Sequence, residues 1–138
     1  MTPVTATSPS VLEGGCACGA VRFSTRVAPK RAGLCHCRVC QQVHGSAFYA
    51  FGVFDRDVVE IAGATVPWES SPGYVRLACA VCGSRVGALN GAETELSLLL
   101  FEAREQIAPQ YESWVSRRVA WLPALAVTQY EENRPAPP

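Results

Sequence analysis

Hydrophobic positions along the chain fall in short runs, none long enough for a long amphipathic helix. Runs rich in β-branched or aromatic residues lie at 20–24, 48–54, 58–62, 74–78, 85–89 and 96–101. Residues with turn chemistry separate them: Gly14-Gly15, Asp55-Arg56-Asp57, Gly63, Pro72-Gly73, Cys82-Gly83 and Asn90-Gly91. Short strands at close spacing with such punctuation predict an antiparallel, all-β fold with at most short helices. One helix is predicted over 38–44, stopped by Gly45, and a weaker one around 109–115. The outer segments, 1–13 and 131–138, are rich in Thr, Ser or Pro without periodicity and read as disordered tails, leaving one domain over 14–130.

A length of 138 residues and a hydrophobic fraction of 49% suit a single domain with its own core. The 12 basic and 12 acidic residues cancel, so the chain lacks the broad positive field that non-specific nucleic-acid binding uses. No apolar run approaches the roughly 20 residues of a membrane span, and the N-terminus has no charged region followed by an apolar one. A cytoplasmic protein without membrane partners is expected. In that reducing setting an odd count of seven cysteines favours metal binding over disulfides.

The cysteines form three groups: Cys16 and Cys18; Cys35, Cys37 and Cys40; Cys79 and Cys82. Zinc takes four ligands in a tetrahedron, and a Cys-x-x-Cys turn followed by glycine, as at Gly83, presents two sulfurs to one ion. Pairing Cys16 and Cys18 with Cys79 and Cys82 completes one closed site that clasps the start of the domain to its middle. Buried free thiols are the alternative. Cys35, Cys37 and Cys40 remain, and three ligands with an open position are the arrangement of a reactive zinc. In extended chain Cys35 and Cys37 share one face and His36 takes the other, which makes His36 a poor fourth ligand. His44, four residues past Cys40, is placed to reach the metal or to act as a base. A second structural site closed by His44 stays open as a reading.

These motifs resemble the glutathione-dependent formaldehyde-activating enzyme (GFA) family, which includes the centromere protein V type. The resemblance rests on Gly14-Gly15-Cys16-Ala17-Cys18-Gly19-Ala20-Val21-Arg22-Phe23, on Cys35-His36-Cys37-Arg38-Val39-Cys40 with Gly45-Ser46, on Ser70-Ser71-Pro72-Gly73, and on Cys79-Ala80-Val81-Cys82-Gly83-Ser84. It implies folded-over antiparallel sheets meeting at a structural zinc held by Cys16, Cys18, Cys79 and Cys82. It also implies a second, more labile zinc on Cys35, Cys37 and Cys40. The activity implied is that of a carbon–sulfur lyase joining glutathione and formaldehyde. Many members carry a His before the C-terminal Trp, where this chain has Glu112-Ser113-Trp114.

The expected chemistry is addition of a metal-held small thiol to a small aldehyde, with His44 or His36 moving the proton and Arg38 and Ser46 contacting the substrate. Phe48, Tyr49, Phe51, Phe54, Trp68, Trp114 and Trp121 are candidates for the pocket wall, or else for the core. A non-catalytic zinc module serving as thiol carrier, redox sensor or partner-binding domain is the competing expectation.

Overall fold

The computed structural model describes residues 11–135. Within them the chain forms eleven strands and one helix. In order these are β1 (Leu12–Gly15), β2 (Arg22–Thr25), β3 (Arg31–Cys35), α1 (Arg38–His44), β4 (Tyr49–Asp55), β5 (Val59–Ala62), β6 (Thr65–Ser71), β7 (Tyr74–Cys79), β8 (Arg85–Asn90), β9 (Glu93–Ser97), β10 (Tyr111–Ser113) and β11 (Thr128–Gln129). The all-β expectation holds. No helix among the described residues is long and apolar enough to cross a membrane.

The strands build two sheets. A small antiparallel one runs β1-β2-β5, and a large one runs β11-β10-β3-β4-β9-β8-β7-β6. Five successive pairings from β3 to β6 are antiparallel, while β10 lies parallel to both β3 and β11. Period-two alternation gives the large sheet two different faces. Phe54, Leu77, Cys79, Val86 and Leu96 point to one face and pack with Val21, Phe23 and Phe101 beneath the small sheet. The Phe23 and Phe101 rings meet edge to face at 5.0 Å. Tyr49, Phe51 and Val53, the alternate residues of β4, join Cys40 and Tyr111 in a second cluster on the opposite face.

Several local expectations are corrected. Residues 109–115 form no α-helix: Tyr111–Ser113 is β10, inserted beside β3 with Tyr111 opposite Gly33, and a 3-10 turn follows over Val115–Arg117. Tertiary pairing overrides the weak helical signal there. A Cβ on Gly33 would lie 2.6 Å from the Tyr111 ring, so the bare backbone at this position is what admits β10. The run at 96–101 leaves the sheet after Ser97 and becomes a 3-10 turn over Leu98–Leu100. Leu12 and Glu13, read as the end of a tail, belong to β1, because their backbone pairs with Thr25 and Ser24. Glu131 and Glu132, read as the start of the other tail, accept backbone hydrogen bonds from Ser116 and Trp114. Of the remaining tail residues, 1–10 and 136–138 lie outside the described residues. The helix at Arg38–His44 forms as expected, with Gly45 left-handed at its end and the Cys37 sulfur accepting from the Cys40 N–H at its start.

Candidate metal and thiol site

Two loops converge to make the first cysteine group. The turn between β1 and β2 carries Cys16 and Cys18, and the turn between β7 and β8 carries Cys79 and Cys82. Each is a tight knuckle whose backbone N–H groups point at sulfur. Val21 N–H donates to Cys16 Sγ at 3.2 Å, Ala20 N–H to Cys18 Sγ at 3.5 Å, and Val81 and Cys82 N–H to Cys79 Sγ at 3.4 and 3.5 Å. Gly83 takes φ +78°, which the knuckle requires. Ser84 ties the loops together, accepting from Ala17 N–H at 3.1 Å while its hydroxyl lies 3.1 Å from Cys82 Sγ. That hydroxyl, with the Ser84 backbone, holds the Cys82 thiol down at about 5. All four sulfurs lie within 4.8 Å of one another, so the group can hold a metal ion. It joins the small sheet to the large one.

The second group is built where β3 runs into α1. Cys35 ends β3, Cys37 caps the helix and Cys40 lies in its first turn, with the three sulfurs again within 4.8 Å of one another. Hydrogen bonds from Cys35 and Cys40, helped by the Arg76 charge, hold Cys37 down at about 2, whereas Cys35 and Cys37 push Cys40 far up. Three packed sulfurs carry one negative charge readily and resist a second and third, which is the electrostatic signature of a site that wants a cation. Among the described residues no fourth Cys, His, Asp or Glu joins the set.

This trio opens on a cavity of about 450 Å³. Tyr49, Phe51, Val53, Tyr111 and Trp114 form apolar and aromatic wall, and Arg31, Arg76, Glu95, Asn133 and Arg134 contribute charge and polarity. Arg76, only 9% exposed, lies with both terminal nitrogens 3.6 and 3.7 Å from Cys40 Sγ. Its Nε donates to Ser70 Oγ at 2.9 Å and its guanidinium stands 4.9 Å over the Tyr74 ring. Tyr74 in turn donates to Glu95 at 2.5 Å, and burial pushes the Glu95 carboxyl up. Arg31 is matched by Glu93 at 3.0 Å. Arg134 has no carboxylate partner among the described residues.

The structure thus brings all seven cysteines together in two groups, but it brings neither histidine, nor Arg38 or Ser46, to the cavity wall. His36 is fully buried, with Nε2 2.7 Å from Glu112. His44 stacks on Tyr49 at 4.2 Å, and burial, then the nearby Arg76 and Arg85, lowers it to about 4. Arg38 and Ser46 are exposed and form no part of the wall. Of the aromatic candidates, Tyr49, Phe51 and Trp114 line the cavity, Phe54 is core, and Trp68 and Trp121 are 56% and 75% exposed. Arg76, Tyr74 and Glu95 escaped sequence reading, since alternation along β7 and β9 marks them as the polar face of a strand. The one available signal was a serine loop, 70–73, next to an arginine strand.

A crystal structure of a Rhodobacter sphaeroides protein shares the fold, with a TM-score of 0.58 at 18% sequence identity over 70% of this chain and 96% of that one. No curated protein matches the chain. The pattern of the glutathione-dependent formaldehyde-activating enzyme family matches residues 11–117, spanning both cysteine groups and most of the cavity wall, and the chain belongs to that family.

Proposed function

We propose that each cysteine group holds a zinc ion, and that the protein joins a small thiol, glutathione-like, to a small aldehyde such as formaldehyde at the Cys35, Cys37 and Cys40 group. The observation that carries this reading is the difference in completeness: four sulfurs converge at one group, and three at the other, which lines a cavity. Both donor sets are soft and suit zinc. Zinc bound by the trio would coordinate a ligand thiol directly and so keep it in its thiolate form.

The chain's own residues do the rest. Addition forms one C–S bond, and the thiol's proton ends on the former carbonyl oxygen, with no change of oxidation state overall. Arg76, beside Cys40, offsets negative charge gathered at the sulfurs. The Tyr74 hydroxyl, donating to Glu95 at 2.5 Å, forms a proton-holding pair on the cavity wall. Arg134, unmatched by a carboxylate among the described residues, takes the substrate-carboxylate role first offered to Arg38. Tyr49, Phe51 and Tyr111 reduce the water in contact with the reacting atoms. Neither histidine touches substrate in this proposal. The cytoplasm is the compartment proposed.

Calorimetric titration of zinc-loaded protein with glutathione tests the reading. Wild type should bind, Cys37→Ala should not, and both should keep the same melt. Adduct formation with formaldehyde should run faster than the uncatalysed background. Binding without acceleration would support a thiol carrier, and absence of binding would overturn the proposal.

A further inference from the structure

His36 stands between two of the cysteines yet lies on neither the cavity wall nor in the sulfur group. It is fully buried, and its Nε2 lies 2.7 Å from Glu112 Oε1. The Glu112 side chain, 1% exposed, receives three more donors on Oε2: Gln129 Nε2 at 2.7 Å, Leu125 N–H at 2.8 Å and an Arg118 terminal nitrogen at 3.2 Å. These donors lower the Glu112 carboxyl despite its burial. The carboxylate is thus fixed from the side of the C-terminal segment, and its remaining oxygen is committed to His36.

The placement explains what that commitment does. Glu112 lies in β10, parallel to β3, opposite Leu34, and the next residue, Ser113, is opposite Cys35. Ser113 O also accepts the His36 N–H at 3.0 Å, and Ser113 Oγ donates to Leu34 O at 3.1 Å. The stretch from Leu34 to His36 is therefore held at two backbone groups by Ser113 and at the His36 ring by Glu112, consecutive residues of β10. Because His36 lies between Cys35 and Cys37 on extended chain, fixing its ring on one side fixes the direction of both thiols on the other.

We propose that Glu112, acting through His36, is a positioning residue for Cys35 and Cys37 and sets how firmly the three-cysteine group retains its metal. This rests on the reading that a zinc ion is held there. Groups that orient metal ligands without touching the metal typically change retention by about ten- to a hundredfold when removed.

The test uses full-length protein loaded with zinc and challenged with a chromogenic zinc chelator. Wild type should release two zinc ions in two phases. Glu112→Ala and His36→Phe should speed the fast phase at least about tenfold and leave the slow phase unchanged. Glu112→Gln, which keeps a hydrogen-bonding atom toward His36, should restore release rates close to wild type. Cobalt substitution should show altered visible bands for the fast-exchanging site alone. If Glu112→Ala does not fold, His36→Phe carries the test, since it leaves Glu112 with its other three donors. Variants that melt lower while the ratio of the two release rates stays at its wild-type value would mark Glu112 as merely structural and overturn the proposal. A wild-type protein that binds one zinc would overturn the two-site reading and this proposal with it. Two zinc ions in wild type, with His36→Phe releasing both at wild-type rates, would overturn the positioning role alone.

Discussion

The two cysteine groups use the same side chain on opposite kinds of backbone. At the first, two knuckles from distant turns bring four sulfurs together, with backbone N–H groups directed at Cys16, Cys18 and Cys79. At the second, one continuous stretch supplies three sulfurs from a strand end and a helix start; the Cys40 N–H points at Cys37 Sγ, and the buried Arg76 guanidinium stands against Cys40 Sγ. The four-sulfur group joins the two sheets, whereas the three-sulfur group has a buried cationic side chain against it and opens on a cavity. Sulfur count and an adjoining cavity set the two groups apart, and the proposed division into a fold-holding and a chemical role rests on them.

The sharpest way to break this contrast is to remove one sulfur from each group. Cys79→Ser should give insoluble or unfolded protein, since coordination free energy on the order of 10 kcal/mol matches or exceeds the stability of a typical domain. Cys37→Ala should remain folded and lose one equivalent of metal. Soluble Cys79→Ser with a cooperative melt and undiminished zinc content would sink the assignment. The next effect in size lies in the core beside the first group: Phe101→Ala removes a ring that is 1% exposed and should cost about 3–5 kcal/mol in a urea melt. At the second group's edge, Gly33→Ala forces a Cβ against the Tyr111 ring and should cost about 1–3 kcal/mol. It should also loosen β10, so hydrogen exchange at Tyr111–Ser113 should rise while β7 and β8 stay protected.

The smallest effect belongs to Glu93, which joins Lys30 at 2.9 Å and Arg31 at 3.0 Å on partly exposed surface. Arg31 first, then Lys30, lowers its carboxyl below the ordinary value of 4.5. A depressed carboxylate stabilises the fold above the unfolded-state pKa, and that contribution is lost as pH falls through the folded-state value. Glu93→Gln should therefore change stability by under about 1 kcal/mol at neutral pH and flatten the acid limb of a pH–stability curve below pH 4.5.

Much of this was legible in the sequence for a definite reason. Thiol spacing is local, and turn chemistry at Gly83 and Gly45 announces itself, so both cysteine groups and α1 could be placed from residue order. Strands with a run of β-branched or aromatic residues were equally readable. β3, with Gly33 and Ala32 at its centre, was not, because its identity depends on Tyr111 approaching from 78 positions away in the chain, a pairing that no local pattern encodes. β6 was hidden similarly, since Pro67 demotes a strand reading although an edge position tolerates it. The cavity residues were obscured by the meaning of alternation itself. Tyr74, Arg76 and Glu95 occupy the polar register of their strands, and that register looks the same whether it faces bulk water or an enclosed hollow.

The parallel insertion of β10 beside β3 has a further consequence, for the order in which the molecule is made. Cys35, His36, Cys37 and Cys40 leave the ribosome early, but Glu112 and Ser113 follow about 76 residues later, and the Leu125 and Gln129 donors later still. The four-cysteine clasp needs nothing beyond Ser84, so its two sheets have all their ligands before the second group has its support. On the nascent chain all four clasp cysteines and Ser84 are therefore present before β10 is made, and β3, already able to pair with β4, keeps its other edge open until β10 docks. If both groups take zinc as proposed, the topology of a single strand separates the completion of the two sites in time.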